Sequence, residues 1–391
     1  MRILISTGEV SGDLQGSLLV QALRQQASQQ GLELDLVALG GERMAEAGAH
    51  LLANTAAIGS VGLTESLRFI LPTWQIQQRI KRYLHQNPVD GLILIDYMGP
   101  NLAIGAYVRR QWPNLPILYY IAPQAWIWSP TGRETQQILN VTDRLLAIFP
   151  GEAEFFAEQG LPVTWVGHPL LDRIAQAPSR AEARQQLGFS PEQLVVTLLP
   201  ASRVQELQSL LPVICAAAQK LQGQFPQIQF CLPISLPAYR DRISAAVQEY
   251  GLNVRLLEGQ TLAAIASADL AITKSGTVNL EIALLNVPQV VLYRVSPLTM
   301  WVARRVLKFD LPFVSPPNIV MNQAIVPELL QEAATPERIF AEALALLQNS
   351  DRRQETLAHY QALRQALGTE GVCQRAAQEI LAYITTRSSA T

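Results

Sequence analysis

Residues 1–23, MRILISTGEVSGDLQGSLLVQAL, decide the fold. Ile3, Leu4 and Ile5 form a short apolar run without polar alternation, the pattern of a strand covered on both faces. Thr7, Gly8 and Gly12 interrupt that run, and Ser11 or Asp13 can cap the N–H groups of a helix that follows. From Leu14 the period changes. Leu14, Leu18 and Ala22 recur every fourth residue, Leu19 and Leu23 widen the stripe, and Gly31 supplies a C-cap. Strand, tight loop and amphipathic helix make half of a βαβ unit.

The alternation continues. Strands are expected over 34–39, 91–95, 117–121, 145–149 and 164–166. A polar, proline-containing helical link over 169–190 separates these from a second series, with strands at 195–199, 228–232, 254–256, 270–273 and 287–292. Helices are expected near 207–222, 239–250 and 278–285, and again after Thr335. The expected architecture is therefore α/β, with two doubly wound domains over 1–170 and 171–350 and a helical tail over 351–391. Whether that tail returns to the first domain the sequence leaves open.

Composition narrows the classes. A chain of 391 residues with 49% hydrophobic residues has material for two cores, which excludes wholesale disorder. A formal net charge of -2 provides no global attraction for nucleic acid. Cys215, Cys231 and Cys373 are too few and too scattered for a disulfide framework or a cysteine metal site. The chain opens on an apolar strand instead of a secretory leader, and no stretch has the roughly 20 apolar residues a membrane span needs. A cytosolic protein that touches a membrane surface is the expectation.

In open α/β sheets ligands collect beyond the C-terminal strand ends, so the polar residues there are the candidates. Glu9, Ser11 and Asp13 in the first loop are placed to meet a substrate hydroxyl, although a capped tight turn explains them as well. Asp96 closes the apolar run Leu92-Ile93-Leu94-Ile95 and is placed to act as a general base, the alternative being a helix cap. His168, in Val166-Gly167-His168-Pro169, is either a second base and phosphate partner or a structural histidine in a rigid turn. Ser202 and Arg203 follow a strand, and the Arg203 guanidinium suits phosphate oxygens unless Glu206 engages it. Ser275, Gly276 and Thr277 form a turn before a helix, a seat for pyrophosphate, with Glu281 one turn on to meet a ribose diol. Segments 63–74 and 297–309 combine apolar residues with nearby charge in the manner of helices that lie on an anionic lipid surface, although each is also compatible with ordinary core.

These motifs, taken together, resemble the bacterial lipid-A-disaccharide synthases. The likeness runs through Gly8-Glu9-Val10-Ser11-Gly12-Asp13, Gly40-Gly41-Glu42-Arg43-Met44, Tyr119-Tyr120-Ile121-Ala122-Pro123-Gln124-Ala125-Trp126, Gly167-His168-Pro169, Pro200-Ala201-Ser202-Arg203, Ser275-Gly276-Thr277 to Glu281, Ser296-Pro297-Leu298-Thr299, and Pro317-Asn318 with Pro327-Glu328. It implies a GT-B-like fold, two Rossmann-like domains facing a cleft, the first for the lipid acceptor and the second for a UDP-sugar. It implies metal-independent, inverting transfer from UDP-2,3-diacylglucosamine to 2,3-diacylglucosamine 1-phosphate (lipid X), giving a β(1→6) disaccharide 1-phosphate and UDP. The UDP-sugar is a substrate, so no cofactor is implied. The implied place is the cytoplasmic face of the inner membrane, with its anionic surface as a partner and a homodimer left open.

By the same resemblance Asp96 is the essential acid and Arg203, Ser275, Thr277 and Glu281 are the UDP side, while Asn318 belongs to the cleft. The chain also differs from its apparent relatives. It has Asp96-Tyr97-Met98-Gly99-Pro100-Asn101 where they usually carry Asp-x-Pro-Asp-Phe-Asn, and Ala201 where they carry Gly. Lys274 stands in place of their common Ala, and Asn322-Gln323-Ala324 in place of Gly-Arg-Glu. Two alternatives stay open: a related GT-B transferase with another lipid or sugar acceptor, and a non-catalytic nucleotide-sugar-binding protein.

Overall fold

The computed structural model describes residues 1–8, 10–55, 66–127, 129, 132–295 and 312–388, with 66–70, 72 and 388 described by backbone alone. It divides into two compact units, Met1–Asp172 with Leu367–Thr391, and Arg173–Ala366. Glu9, residues 63–65 and the whole of 297–309 lie outside the described residues.

The first unit is built on β1 (Arg2–Ser6), β2 (Asp35–Gly40), β3 (His50–Asn54), β4 (Gly91–Ile95), β5 (Ile117–Tyr120), β6 (Arg144–Ala147) and β7 (Val163–Trp165), in the order β3-β2-β1-β4-β5-β6-β7. The second is built on β8 (Val195–Leu199), β9 (Gln229–Ile234), β10 (Val254–Glu258), β11 (Leu270–Lys274), β12 (Gln289–Tyr293) and β13 (Glu328–Leu330), in the order β10-β9-β8-β11-β12-β13. Every described strand pair is parallel. Helices cover both faces, which is why the central strands β4 (GLILI) and β8 (VVTLL) are buried at every residue. Each fully buried Leu, Ile or Val contributes about 1.5–3 kcal/mol over its exposed state, so these uninterrupted runs anchor the two cores.

In each sheet the winding direction reverses between two neighbouring strands, β1 and β4 in the first, β8 and β11 in the second. The helices before and after such a pair lie on opposite faces and leave a crevice beyond the C-terminal strand ends. Thr7 and Asp96 stand at the first of these points; Pro200 to Arg203 and Lys274 to Thr277 stand at the second.

The opposite sheet edge is pinned by aspartates. Asp90, Asp143 and Asp269 each sit one residue before a strand and accept the first N–H of the neighbouring strand, from Arg2 at 2.6 Å, Ile117 at 2.8 Å and Val195 at 2.9 Å. The strands β3 and β13 were not expected from the sequence. Both are short edge strands that include polar residues, His50 and Asn54 in one and Glu328 in the other, so neither shows the apolar run that marks the interior strands.

The tail divides later than residue 351. Helix Ser350–Ala366 stays with the second unit, where the Tyr360 hydroxyl meets Gln289 and Arg364 donates to the Leu284 carbonyl. From Leu367 the chain belongs to the first unit. Helix Val372–Ser388 buries Val372, Ala376, Ala377, Ile380, Leu381 and Ile384, a helical stripe that packs against helix Val10–Gln29. The fit is close: a Cβ on Gly91 in β4 would stand 2.6 Å from the Ile384 side chain. The helix start is fixed by the Asp172 carboxylate, which accepts N–H groups from Gly371 at 2.6 Å, Val372 at 3.1 Å and Cys373 at 2.8 Å. Replacing it leaves three donors of a packed helix start without an acceptor. Asp172→Ala is expected to cost about 2 kcal/mol, read as a lower denaturant midpoint for loss of the first unit's structure.

Candidate functional site

Asp96 follows the last residue of β4 with φ 46°, and Tyr97 follows with φ 45°. Ile121, just past β5, has φ 64°. Left-handed backbone at residues with a Cβ costs about 1–3 kcal/mol each, so something must hold it. Asn101 does much of this. Buried completely, it accepts from the Ser6 hydroxyl at 2.7 Å and donates through Nδ2 to the carbonyls of Ile95 at 3.0 Å and Asp96 at 2.8 Å. The Tyr119 hydroxyl also donates to the Asp96 carbonyl, at 2.8 Å, and the Asp96 N–H donates to the Ile121 carbonyl at 3.0 Å. Backbone groups of Asp96 are thus fastened from β5, the residue after it and the following helix, whose Asn101 is itself held by β1, and the half-buried residue stands at the switch point. Gly8 is required beside it, because a Cβ there would overlap the Tyr97 ring.

A second acid braces the same edge. Glu152, fully buried near the start of helix Pro150–Glu158, accepts N–H groups from Ala122 at 2.8 Å, Ile148 at 2.7 Å and Phe149 at 3.2 Å. Burial pushes its pKa up to about 7 against these hydrogen bonds, and the Asp96 charge adds to the rise. In sequence Glu152 shows only as an acid two residues after Pro150, in the loop-to-helix turn that follows β6.

The first-loop candidates separate. Ser11 opens helix Val10–Gln29 and is partly exposed. Asp13 is buried, and its carboxylate accepts N–H groups from Gly41 at 2.8 Å, Met44 at 3.2 Å and Arg43 at 3.3 Å. It ties the first helix to the loop after β2, a structural duty in place of the expected substrate contact. His168 is also interior. Its Nδ1 accepts the Leu170 N–H at 3.2 Å, its ring lies 5.0 Å from that of Phe149, and burial pushes its pKa from 6.5 down to about 3. That environment keeps the imidazole neutral and makes it a weak proton acceptor.

In the second unit Glu206 organises the loop after β8. Its carboxylate accepts from Ser202 N–H at 2.8 Å, Ser202 Oγ at 3.2 Å and Arg203 N–H at 3.2 Å, and stands 3.8 Å from the Arg203 guanidinium. The Arg203 side chain remains 42% exposed, enough to meet an incoming anion. After β11, the Ser275 hydroxyl donates to the Val314 carbonyl at 3.0 Å, Gly276 has φ 154°, and Thr277 is exposed at the helix start. Glu281 is buried and ion-paired with Arg173. The expected ribose contact of Glu281 therefore competes with a cation the sequence reading did not single out.

Asn318 is 1% exposed with its amide saturated: Nδ2 donates to the Val326 carbonyl at 3.0 Å and Glu328 at 2.7 Å, while Oδ1 accepts from Ile325 at 2.8 Å and Val326 at 2.9 Å. Glu328 in turn accepts the N–H groups of Val314 and Ser315, each at 2.9 Å. Asn318 is a loop brace in this structure, not a group turned toward a ligand. Among the described residues no group of three His, Cys, Asp or Glu side chains is placed to hold a metal ion.

A family model described as lipid-A-disaccharide synthetase matches residues 3–383. The chain belongs to the lipid-A-disaccharide synthase family. Curated relatives of that name include those of Synechocystis sp. (70% identical over 385 residues, 98% of each chain) and Gloeothece citriformis (59% over 384 residues, 98% of this chain and 100% of the other). Among solved structures it is similar to a putative UDP-N-acetylglucosamine 2-epimerase from Listeria monocytogenes, with a TM-score of 0.68 at 16% identity over 100% of this chain and 97% of that one. The UDP-GlcNAc 2-epimerase from Neisseria meningitidis bound to UDP-GlcNAc gives 0.65 at 13%, over 99% and 100%. At such identities the likeness establishes the fold alone, the GT-B type built from two Rossmann-like domains.

The hold of Asn101 on the Asp96 backbone can be tested directly. Asn101→Ala should release the Asp96 backbone while leaving its carboxylate present. For a synthase of this family we expect kcat to fall at least about tenfold with KM little changed, since small misplacements of a reacting group cost up to about 100-fold; steady-state kinetics of the variant checks this.

Proposed function

We propose that this chain is an inverting, metal-independent hexosyltransferase that joins UDP-2,3-diacylglucosamine to lipid X through a β(1→6) bond and releases UDP. The observation that carries the reading is end-to-end similarity to named lipid-A-disaccharide synthases, 70% identical over 98% of the chain. The chemistry assigns Asp96 as base. Its carboxylate takes the proton of the acceptor's primary hydroxyl as that oxygen attacks the anomeric carbon from the face opposite UDP. The anomeric C–O bond breaks, and its electron pair leaves with the β-phosphate. Arg203 meets the charge that accumulates there, the role of a donor preorganised for a departing oxyanion.

The reading extends to the place of work. No helix among the described residues is long and apolar enough to cross a membrane. Helix Ser66–Gln86 exposes Leu71 and Trp74, at 69% and 58%, with Arg79 and Arg82 exposed farther along. Exposed apolar side chains beside cations suit peripheral attachment to an anionic bilayer surface, and the two acylated substrates suit the cytoplasmic face of the inner membrane.

Purified protein given both substrates should form the disaccharide 1-phosphate, and Asp96→Asn should lower kcat at least about 100-fold. No product from the unaltered, folded, UDP-binding protein would remove this acceptor from consideration; full activity in Asp96→Asn would remove the base assignment. In a separate sedimentation assay, Leu71→Ser with Trp74→Ser should reduce binding to vesicles containing phosphatidylglycerol while leaving the melting temperature unchanged.

A further inference from the structure

Lys274 ends β11 at the second switch point, where the sequence differs from the Ala common among the synthases it resembles. Its side chain folds back across the turn it begins. A Cβ on Gly276 would overlap the Lys274 ammonium and stand 3.4 Å from its Cε. The ammonium therefore occupies the side of Gly276 where any other residue would carry its side chain. The glycine itself is accounted for by its φ of 154°, which side-chain-bearing residues rarely adopt.

The same turn is short of donors. Ser275 N–H is given to the Leu292 carbonyl at 2.8 Å, Gly276 N–H to Asn279 Oδ1 at 2.7 Å, Asn279 N–H to the Gly276 carbonyl at 2.9 Å and Leu280 N–H to the Thr277 carbonyl at 3.0 Å. The Ser275 hydroxyl is given to Val314. What remains of the turn for an anion is the N–H of Thr277 and of Val278, and the helix they open, Val278–Leu284, is short. Two backbone donors are a thin setting for a diphosphate that carries two or three charges. Lys274 supplies what they lack. Within the described residues no hydrogen bond or ion pair holds its ammonium, although Glu206 and Glu281 lie near enough to favour its charge. Burial acts against that charge, with Arg203 in the same direction, so an anion reaching the turn would relieve an unfavourable setting.

We infer that Lys274 is a donor-binding residue, its ammonium lying across Gly276 to take the diphosphate of the UDP-sugar beside Arg203. This rests on the proposed function and deepens it. A point charge on a flexible stem can follow the diphosphate as its bond to the sugar breaks, which the fixed fork of an arginine does less readily. It also supplies, from the strand end itself, a cation that the segment Asn322-Gln323-Ala324 does not carry.

Isothermal titration of the full chain with UDP and with uridine separates the diphosphate from the nucleoside. The unaltered protein should bind UDP well above uridine. Lys274→Ala should weaken UDP at least tenfold and leave uridine affinity and the melting temperature unchanged, and Lys274→Arg should recover part of the loss. Equal UDP affinity in the unaltered protein and Lys274→Ala would overturn the assignment while leaving the transferase reading intact. A matching loss for uridine and UDP would overturn it too, by marking the lysine as a support for the turn's shape. An unaltered protein that binds no UDP would overturn the donor reading and this assignment together.

Discussion

A loop that leaves a parallel sheet carries N–H groups the ladder no longer uses, and leaving them buried without acceptors costs about 1–3 kcal/mol each. In this chain carboxylates take them. Asp13 holds the loop after β2, Glu152 the ends of β5 and β6, Asp172 the start of the last helix, Glu206 the loop after β8 and Glu328 the segment before helix Pro316–Met321. Each acid is bound to between two and three backbone donors, so the loops that carry polar chemistry are rigid before any ligand arrives. The left-handed backbone at Asp96 depends on the same economy of partners, with Asn101 in place of an acid.

That economy also explains which parts of the architecture could be read from the chain alone. Interior strands such as Leu92 to Ile95 and Val195 to Leu199 are continuous apolar runs because helices cover both faces, and such runs are visible without a structure. The edge strands His50–Asn54 and Glu328–Leu330 have one neighbour each and mixed polarity, so periodicity does not mark them. The helix at the end of the chain has a clear apolar stripe, but a stripe does not say which sheet it covers. The Asp172 cap, the packing on helix Val10–Gln29 and the close approach of Ile384 to Gly91 assign it.

Candidate positions were legible to the extent that place in the strand order alone governs them. Asp96 and Arg203 stand where strand order reverses, and the sequence marks both as polar groups at the end of an apolar run. Partner choice is a different matter. Asp13, His168 and Asn318 are polar residues in conspicuous motifs, and all three are engaged within the protein, Asp13 and His168 by backbone N–H groups and Asn318 by backbone and the Glu328 carboxylate. Glu281 sits at the expected place on its helix yet has Arg173 against it, a residue 108 positions away in sequence. No local pattern announces a partner at that separation. Glu152 was missed for the complementary reason: its three donors come from two different strand ends, and nothing around it in sequence looks like a site.

The return of residues 367–388 to the first unit sets an order of events during synthesis. Translation runs from the N-terminus, and domains generally fold as units while it proceeds. Here the chain of the second unit, Arg173–Ala366, is complete before the helix that covers β4 through Ile384 has been made. The part that begins first therefore waits for a helix made after the whole of the second unit, and until then the stretch of its sheet that this helix covers lies open. A nascent chain of this design carries that exposed surface throughout the synthesis of its second unit, an interval open to chaperones and to aggregation that the folded first unit no longer has.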